Sequence, residues 1–220
     1  MPVTQIMSVA GRVTGPSPVG SLIWNGVTES YLRPTGGINP ALTSMLMPDS
    51  VTTKQVHVFN GTDYIVTPGH SLSNVYFNIW FYPTANNVVL VSHLDSIYEA
   101  SGYHYSMLEI NSTSKVDAGA WNGGNITTVT TTESVNLNAW NHIYYYCAGG
   151  TLSLSLNNSA AYTTSLSYSP PGTSYFTFGA VESTYISTSN RFQGKLADVV
   201  GSSSALSSNY NDTKTVYGLT

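Results

Sequence analysis

The chain has little charge. Only 8% of its 220 residues are Asp, Glu, Lys or Arg, against about 25% in an average soluble protein. The seven Lys plus Arg are scattered singly and the net charge is −4, which argues against a basic patch for nucleic acid. Cysteine is nearly absent: Cys147 stands alone, so there is no disulfide framework and no thiolate metal site. Its place within a strand pattern makes it a small buried apolar residue rather than a nucleophile. Long apolar runs are missing as well, and with them any membrane-spanning segment of about 20 residues. The first residues, Met-Pro-Val-Thr-Gln-Ile-Met-Ser, lack the charged start and apolar stretch of a secretion signal. No amphipathic helix of three turns is legible anywhere.

Small hydroxyls and aromatics fill the gap, with 30 Ser, 26 Thr and 16 Tyr. A disordered chain is poor in aromatics and rich in charge, so this one folds. The clearest pattern is Thr151 to Leu156, where Leu152, Leu154 and Leu156 alternate with Thr151, Ser153 and Ser155. A period of two marks a strand with three leucines on a buried face and three hydroxyls on a wet or weakly packed one. Ala148-Gly149-Gly150 supplies the turn before it, and Ile143 to Cys147 forms the partner strand, apolar or aromatic on both faces. Val75, Phe77, Ile79 and Phe81 alternate in the same way, and Pro83 ends that strand. Further strands are expected at 56–59, 64–67, 88–92, 104–110, 116–121, 126–132, 160–164, 175–178 and 195–200. Roughly a dozen short strands with frequent turn signals predict an all-β, antiparallel two-sheet β-sandwich over 55–220.

Residues 1–54 read differently. Gly15-Pro16-Ser17-Pro18, Arg33-Pro34-Thr35-Gly36-Gly37 and Asn39-Pro40 are breakers. Between them lie apolar groups and two short segments: a strand at 21–24, and a strand or helical turn at 41–47. This predicts an irregular N-terminal arm whose Trp24, Tyr31 and Leu32 bury against sister subunits or a larger assembly.

The order of motifs over 55–220 resembles the laminin-G-like branch of the concanavalin A-like lectin/glucanase superfamily, a jelly roll. The residues carrying the resemblance are Phe59-Asn60-Gly61-Thr62-Asp63-Tyr64, Ser71-Leu72-Ser73, Trp80-Phe81-Tyr82-Pro83 and Leu137-Asn138-Ala139-Trp140-Asn141-His142-Ile143. Gly149-Gly150-Thr151-Leu152, Phe192-Gln193-Gly194-Lys195-Leu196 and Ala205-Leu206-Ser207 complete the series. Two positions depart from it: Ala197 stands where an Asp is common, with Asp198 one place later, and Ser204 replaces an Arg.

The resemblance implies glycan binding, protein binding, a spacer role or polysaccharide hydrolysis. Its hydrolytic branch uses close carboxylates on one strand face, and retaining glycosidases hold them about 5–5.5 Å apart. Here the nearest acids in sequence are Asp95 and Glu99, about 13 Å apart along a strand at ~3.3 Å per residue. The motif is absent, so no catalytic residue is assigned and no enzyme is expected, although a pair drawn from different strands stays open. His57, His70, His93, His104 and His142 show no metal-ligand spacing. No cofactor is expected; calcium, through Asp63, Asp95 or Asp117, is the one ion the resemblance leaves open. For a sugar, the aromatic and amide groups of adjacent loops are the candidates: Tyr98, Tyr103, Trp121, Asn122 and Asn125.

The expectation drawn from all this is a non-enzymatic virion structural protein, a capsid decoration or a tail or fibre component. It would display the sandwich on the particle surface as a homo-oligomer held through 1–54 to other virion proteins or sister subunits. The alternative is a cellular or exported carbohydrate-binding module, extracellular and with surface glycans as its partners.

Overall fold

A computed structural model of the chain describes residues 22–24, 40–67, 69–95, 104–170, 172–181 and 190–220. In chain order its strands are β1 (Leu22–Trp24), β2 (Ala41–Leu46), β3 (Thr53–Asn60), β4 (Ile65–Val66), β5 (Val75–Pro83), β6 (Val88–Leu94) and β7 (His104–Ile110). They continue with β8 (Lys115–Trp121), β9 (Ile126–Ser134), β10 (Asn141–Ala148), β11 (Thr151–Leu156), β12 (Tyr162–Ser165), β13 (Tyr175–Phe178) and β14 (Gln193–Ser202). One helical turn, α1 (Tyr210–Thr213), follows. The larger sheet is ordered β12-β11-β10-β5-β14-β3-β2, with β1 beside β14; the smaller is β4-β13-β6-β7-β8-β9. Every pairing between these strands is antiparallel. The fold is the two-sheet jelly-roll sandwich that the alternation predicts.

The core lies between the sheets. Phe77, Ile79, Phe81, Leu152, Leu154 and Leu156 face it from the larger sheet; Leu108, Ile110, Val116, Phe176 and Phe178 belong to the same buried cluster. Phe77 bridges the layers, with edge-on contacts to Phe176 at 5.4 Å and Phe178 at 5.9 Å. Cys147 is buried in this core, and burial pushes its thiol up to about 12, which leaves it a packing residue.

β5 is apolar on both faces because its outer face is covered too. Residues 203–220 fold back over the larger sheet, where Trp80, Trp140, Tyr210, Tyr217, Val56, Ala197 and Met47 form a second buried cluster. Polar groups on the sheet anchor the tail: Asn78 Nδ2 donates to Ser207 O (2.9 Å), Trp80 Nε1 to Thr213 Oγ1 (2.9 Å) and Tyr144 OH to Leu206 O (2.6 Å). Ser153, expected on a wet face, is buried instead. It stands opposite Tyr146 on one side and Thr163 on the other, within the same covered sheet.

The arm boundary at residue 54 falls inside β3, and residues 41–46 form a strand of the larger sheet rather than a detached segment. The reason is a hairpin turn closed by Asp49, whose carboxylate accepts the N–H groups of Val51 (3.1 Å) and Thr52 (2.9 Å) and the Thr52 hydroxyl (2.5 Å). Met47 then enters the second cluster. Trp24 lies in β1, paired with Gly201 of β14; Tyr31 and Leu32 lie outside the described residues. The departure at Ala197-Asp198 also finds a cause. β14 carries a bulge between Ala197 and Val200, and Asp198 takes φ +44° there. The bulge delivers its carboxylate to Lys54 Nζ at 2.7 Å, the one ion pair among the described residues.

Candidate functional site

The smaller sheet leaves part of its outer face open over β7, β8 and β9. Along β8 the alternation sends Val116, Ala118 and Ala120 into the core and turns Asp117 and Gly119 outward. Register then decides their neighbours. Asp117 stands opposite Thr130 on one side and Glu109 on the other, and Gly119 stands opposite Thr128. Ser106 and Ile126 complete the wall of a groove of about 380 Å³ lined by these seven side chains and backbones.

Gly119 makes the floor. A Cβ there would lie 2.9 Å from Ile126 Cγ2 and 3.3 Å from the Ser106 carbonyl oxygen, so any side chain would both crowd its neighbours and fill the hollow. Asp117 is fixed from two directions: Asn111 Nδ2 donates to both its oxygens (3.1 and 3.2 Å) and Thr130 Oγ1 donates to Oδ1 (2.7 Å). Asn111 is itself locked in the β7–β8 turn, its Oδ1 accepting from Thr113 N (2.9 Å), Thr113 Oγ1 (2.7 Å) and Lys115 N (3.1 Å). Two like charges directly opposite on neighbouring strands destabilise the bare sheet, and the one ion pair among the described residues lies elsewhere. Glu109 and Asp117 therefore present acceptors suited to hydroxyl or cationic donors.

Of the residues expected from sequence, Trp121 is half-buried at the end of β8, packed against the core and paired with Ile126 at one end of the groove. Asn122 is spent on the β8–β9 turn: its Oδ1 accepts from Gly124 N (3.1 Å) and Asn125 N (2.8 Å), and its Nδ2 donates to Thr127 Oγ1 (3.3 Å). Asn125 is exposed at the turn's far corner. Tyr98 and Tyr103 lie outside the described residues. The aspartates named for calcium stand apart: Asp63 is buried and accepts from Asn60 N (3.0 Å), Asp95 follows β6, and Asp117 lies in the groove. Among the described residues no three metal-ligating side chains converge.

Sequence reading missed Ser106, Glu109, Gly119, Ile126, Thr128 and Thr130. The only local hint was the exposed Thr-rich alternation of 126–132; the carboxylate pair needs the β7–β8 register.

A sandwich with a polar groove on one open sheet face belongs to a broad class of β-sandwich domains, and comparison narrows it. Residues 59–209 match the family described as the concanavalin A-like lectin/glucanases superfamily, in its laminin G form, and the chain belongs to that family. No curated protein matches the sequence. Among solved structures, the chain is similar to the heptameric SAP-like pentraxin of Limulus polyphemus, with 14% identity, 73% of this chain and 80% of that one covered, and a TM-score of 0.53. It is similar to domain 4 of the Geobacillus stearothermophilus extracellular arabinanase AbnA in complex with arabinotriose, with 12% identity, 80% and 81% coverage, and a TM-score of 0.53. The carbohydrate-binding module CBM40 of a Ruminococcus gnavus IT-sialidase, bound to α2,3-sialyllactose, gives 15% identity, 68% and 84% coverage, and a TM-score of 0.52. At these identities the likeness is one of fold. Among the described residues no helix is long and apolar enough to cross a membrane.

Proposed function

We propose that this chain is a non-catalytic glycan-binding module and that the β7–β8–β9 groove is its sugar site. The observation that carries the reading is the Glu109–Asp117–Thr130 row beside the glycine floor. Carboxylates accept strongly from sugar hydroxyls, Ser106, Thr128 and Thr130 add hydroxyls that donate or accept, and Ile126 offers an apolar wall for a ring's C–H face. Family membership and the two neighbours solved with arabinotriose and sialyllactose support it. They favour a binding module, soluble or exported, over a particle-displayed structural protein.

Hydrolysis is the competing chemistry, because directly opposed strand residues place Cβ atoms about 4.5–5.5 Å apart, near the spacing of a retaining pair. Both Asp117 oxygens already accept hydrogen bonds from Asn111 and Thr130, which fits a fixed acceptor better than an attacking nucleophile.

The test is a glycan array followed by calorimetry on the best ligand, using Asp117→Ala and Thr128→Trp. Thr128 is exposed, so its replacement blocks the groove without touching the core. Each variant should lose at least about tenfold in affinity, in line with about 1.5–3 kcal/mol for a hydrogen bond to a charged group. Binding unchanged in both variants places the site elsewhere; no glycan bound by the wild type defeats the reading.

A further inference from the structure

The larger sheet ends at β2, and that edge is unusual. Met47 N–H donates to Thr52 O at 2.8 Å, closing the β2–β3 hairpin. By the two-residue period of an antiparallel ladder, Ala41, Thr43 and Met45 also turn their N–H and C=O groups toward β3. Those of Leu42, Ser44 and Leu46 point away, and among the described residues no strand lies beyond them. Edge strands are ordinarily protected by a charge, a proline or a bulge. Residues 41–47, Ala-Leu-Thr-Ser-Met-Leu-Met, hold no charge and no proline, and their pairing with β3 has no register shift.

The side chains repeat the pattern. Leu42 is 51% exposed and Leu46 58%, on the face that also carries Ser44. The hydroxyl of Ser44 accepts from Gln55 Nε2 at 2.8 Å, which fixes that face. The spacing Leu-x-Ser-x-Leu is symmetric about its serine. An antiparallel copy of the same strand therefore sets leucine against leucine twice. A charged edge would meet its own sign across a two-fold axis, and this edge carries none.

We infer that β2 pairs with β2 of a second copy of this chain, antiparallel, with the two-fold axis at Ser44. Ser44 then opposes Ser44 of the partner subunit, and Leu42 opposes the partner subunit's Leu46. Three hydrogen-bonded residue pairs with two bonds each add about six backbone bonds, and the two larger sheets merge into one. Four exposed leucine side chains leave water at the seam. This surface is separate from the groove, so the pairing stands or falls independently of the glycan-binding reading.

Sedimentation of the full chain, in a series reaching about 100 µM, should show a dimer, because that range captures even weak homodimers. Leu42→Lys/Leu46→Lys and Ser44→Pro should sediment as monomers while keeping the far-ultraviolet circular dichroism of the wild type and, in dilute solution where the wild type is itself dissociated, its unfolding midpoint. Ser44→Cys supplies a second readout. Opposed hydrogen-bonded residues hold their Cβ atoms near the far end of about 4.5–5.5 Å, beyond the roughly 3.5–4.5 Å of a disulfide, so a short bifunctional thiol reagent is used. The native Cys147 is buried and does not compete. The reagent should convert Ser44→Cys to a covalent dimer. A monomeric wild type with no Ser44→Cys cross-link overturns the inference, as does a dimer that both charge and proline variants leave intact and Ser44→Cys fails to cross-link.

Discussion

Trp80 and Tyr217 stack face to face, with ring centroids 3.9 Å apart and only 6° between their planes. One sits mid-strand in β5 and the other three residues before the last residue of the chain. Trp140 meets the same Tyr217 edge-on at 4.9 Å. The tail thus buries two tryptophans that the larger sheet alone would leave in water, and removing the tyrosine ring opens a cavity between them. Tyr217→Ala should cost about 3–5 kcal/mol, read as a lower urea midpoint and a red shift of tryptophan emission. A loss within experimental error would mean that the tail merely lies on the sheet.

Leu154 tests the inner layer in the same way. It is fully buried, opposite Tyr145 of β10 and Tyr162 of β12. Leu154→Ala should lower unfolding stability by about 2–5 kcal/mol. β11 packs beneath β8 and β9, and Tyr145 opposite Leu154 donates from its hydroxyl to Gly119 O at 3.3 Å. Urea unfolding of the free protein, rather than glycan affinity, is therefore the measurement that isolates this loss.

Two buried histidines set an acid sensitivity. Burial lowers His93 from 6.5 to about 3; burial also lowers His142 from 6.5 to about 4, partly opposed by its hydrogen bond to Asn209. Both are bases whose folded pKa lies below the unfolded value. Below pH 6.5 the unfolded chain therefore binds more protons than the native one, and stability falls as pH drops from about 6.5 toward 4. Each histidine contributes about 1.4 kcal/mol per pH unit in that window. Urea midpoints between pH 7 and 4.5 should decline, and His142→Gln should flatten the decline by about half. An unchanged slope in that variant rejects the assignment.

No polysaccharide hydrolysis is expected. Glucans, galactans and arabinans, assayed with and without calcium, should remain intact over prolonged incubation. Turnover that vanishes in Glu109→Gln or Asp117→Asn would convert the groove from a binding site to a catalytic one.

The local pleat of the backbone is written in the order of residues, so strand alternation was legible without a structure. Leu152, Leu154, Leu156, Val75, Phe77, Ile79 and Phe81 could be placed in the core, and the motif order pointed to the jelly roll that the sheets and the family match bear out. What register and chain return decide was not legible. Glu109 and Asp117 are eight positions apart in sequence and face each other only because a four-residue turn aligns β7 with β8. Asn122 looks like a ligand group by residue type, but the turn consumes its amide. Ser153 of β11 looks wet by pattern, and nothing in the order of residues shows what covers Trp80 of β5, but neighbouring strands bury the first and the returning tail the second. Periodicity reports which face a side chain takes; which groups meet there, and whether anything covers them, depends on contacts between residues far apart in the chain, and only the tertiary structure holds those.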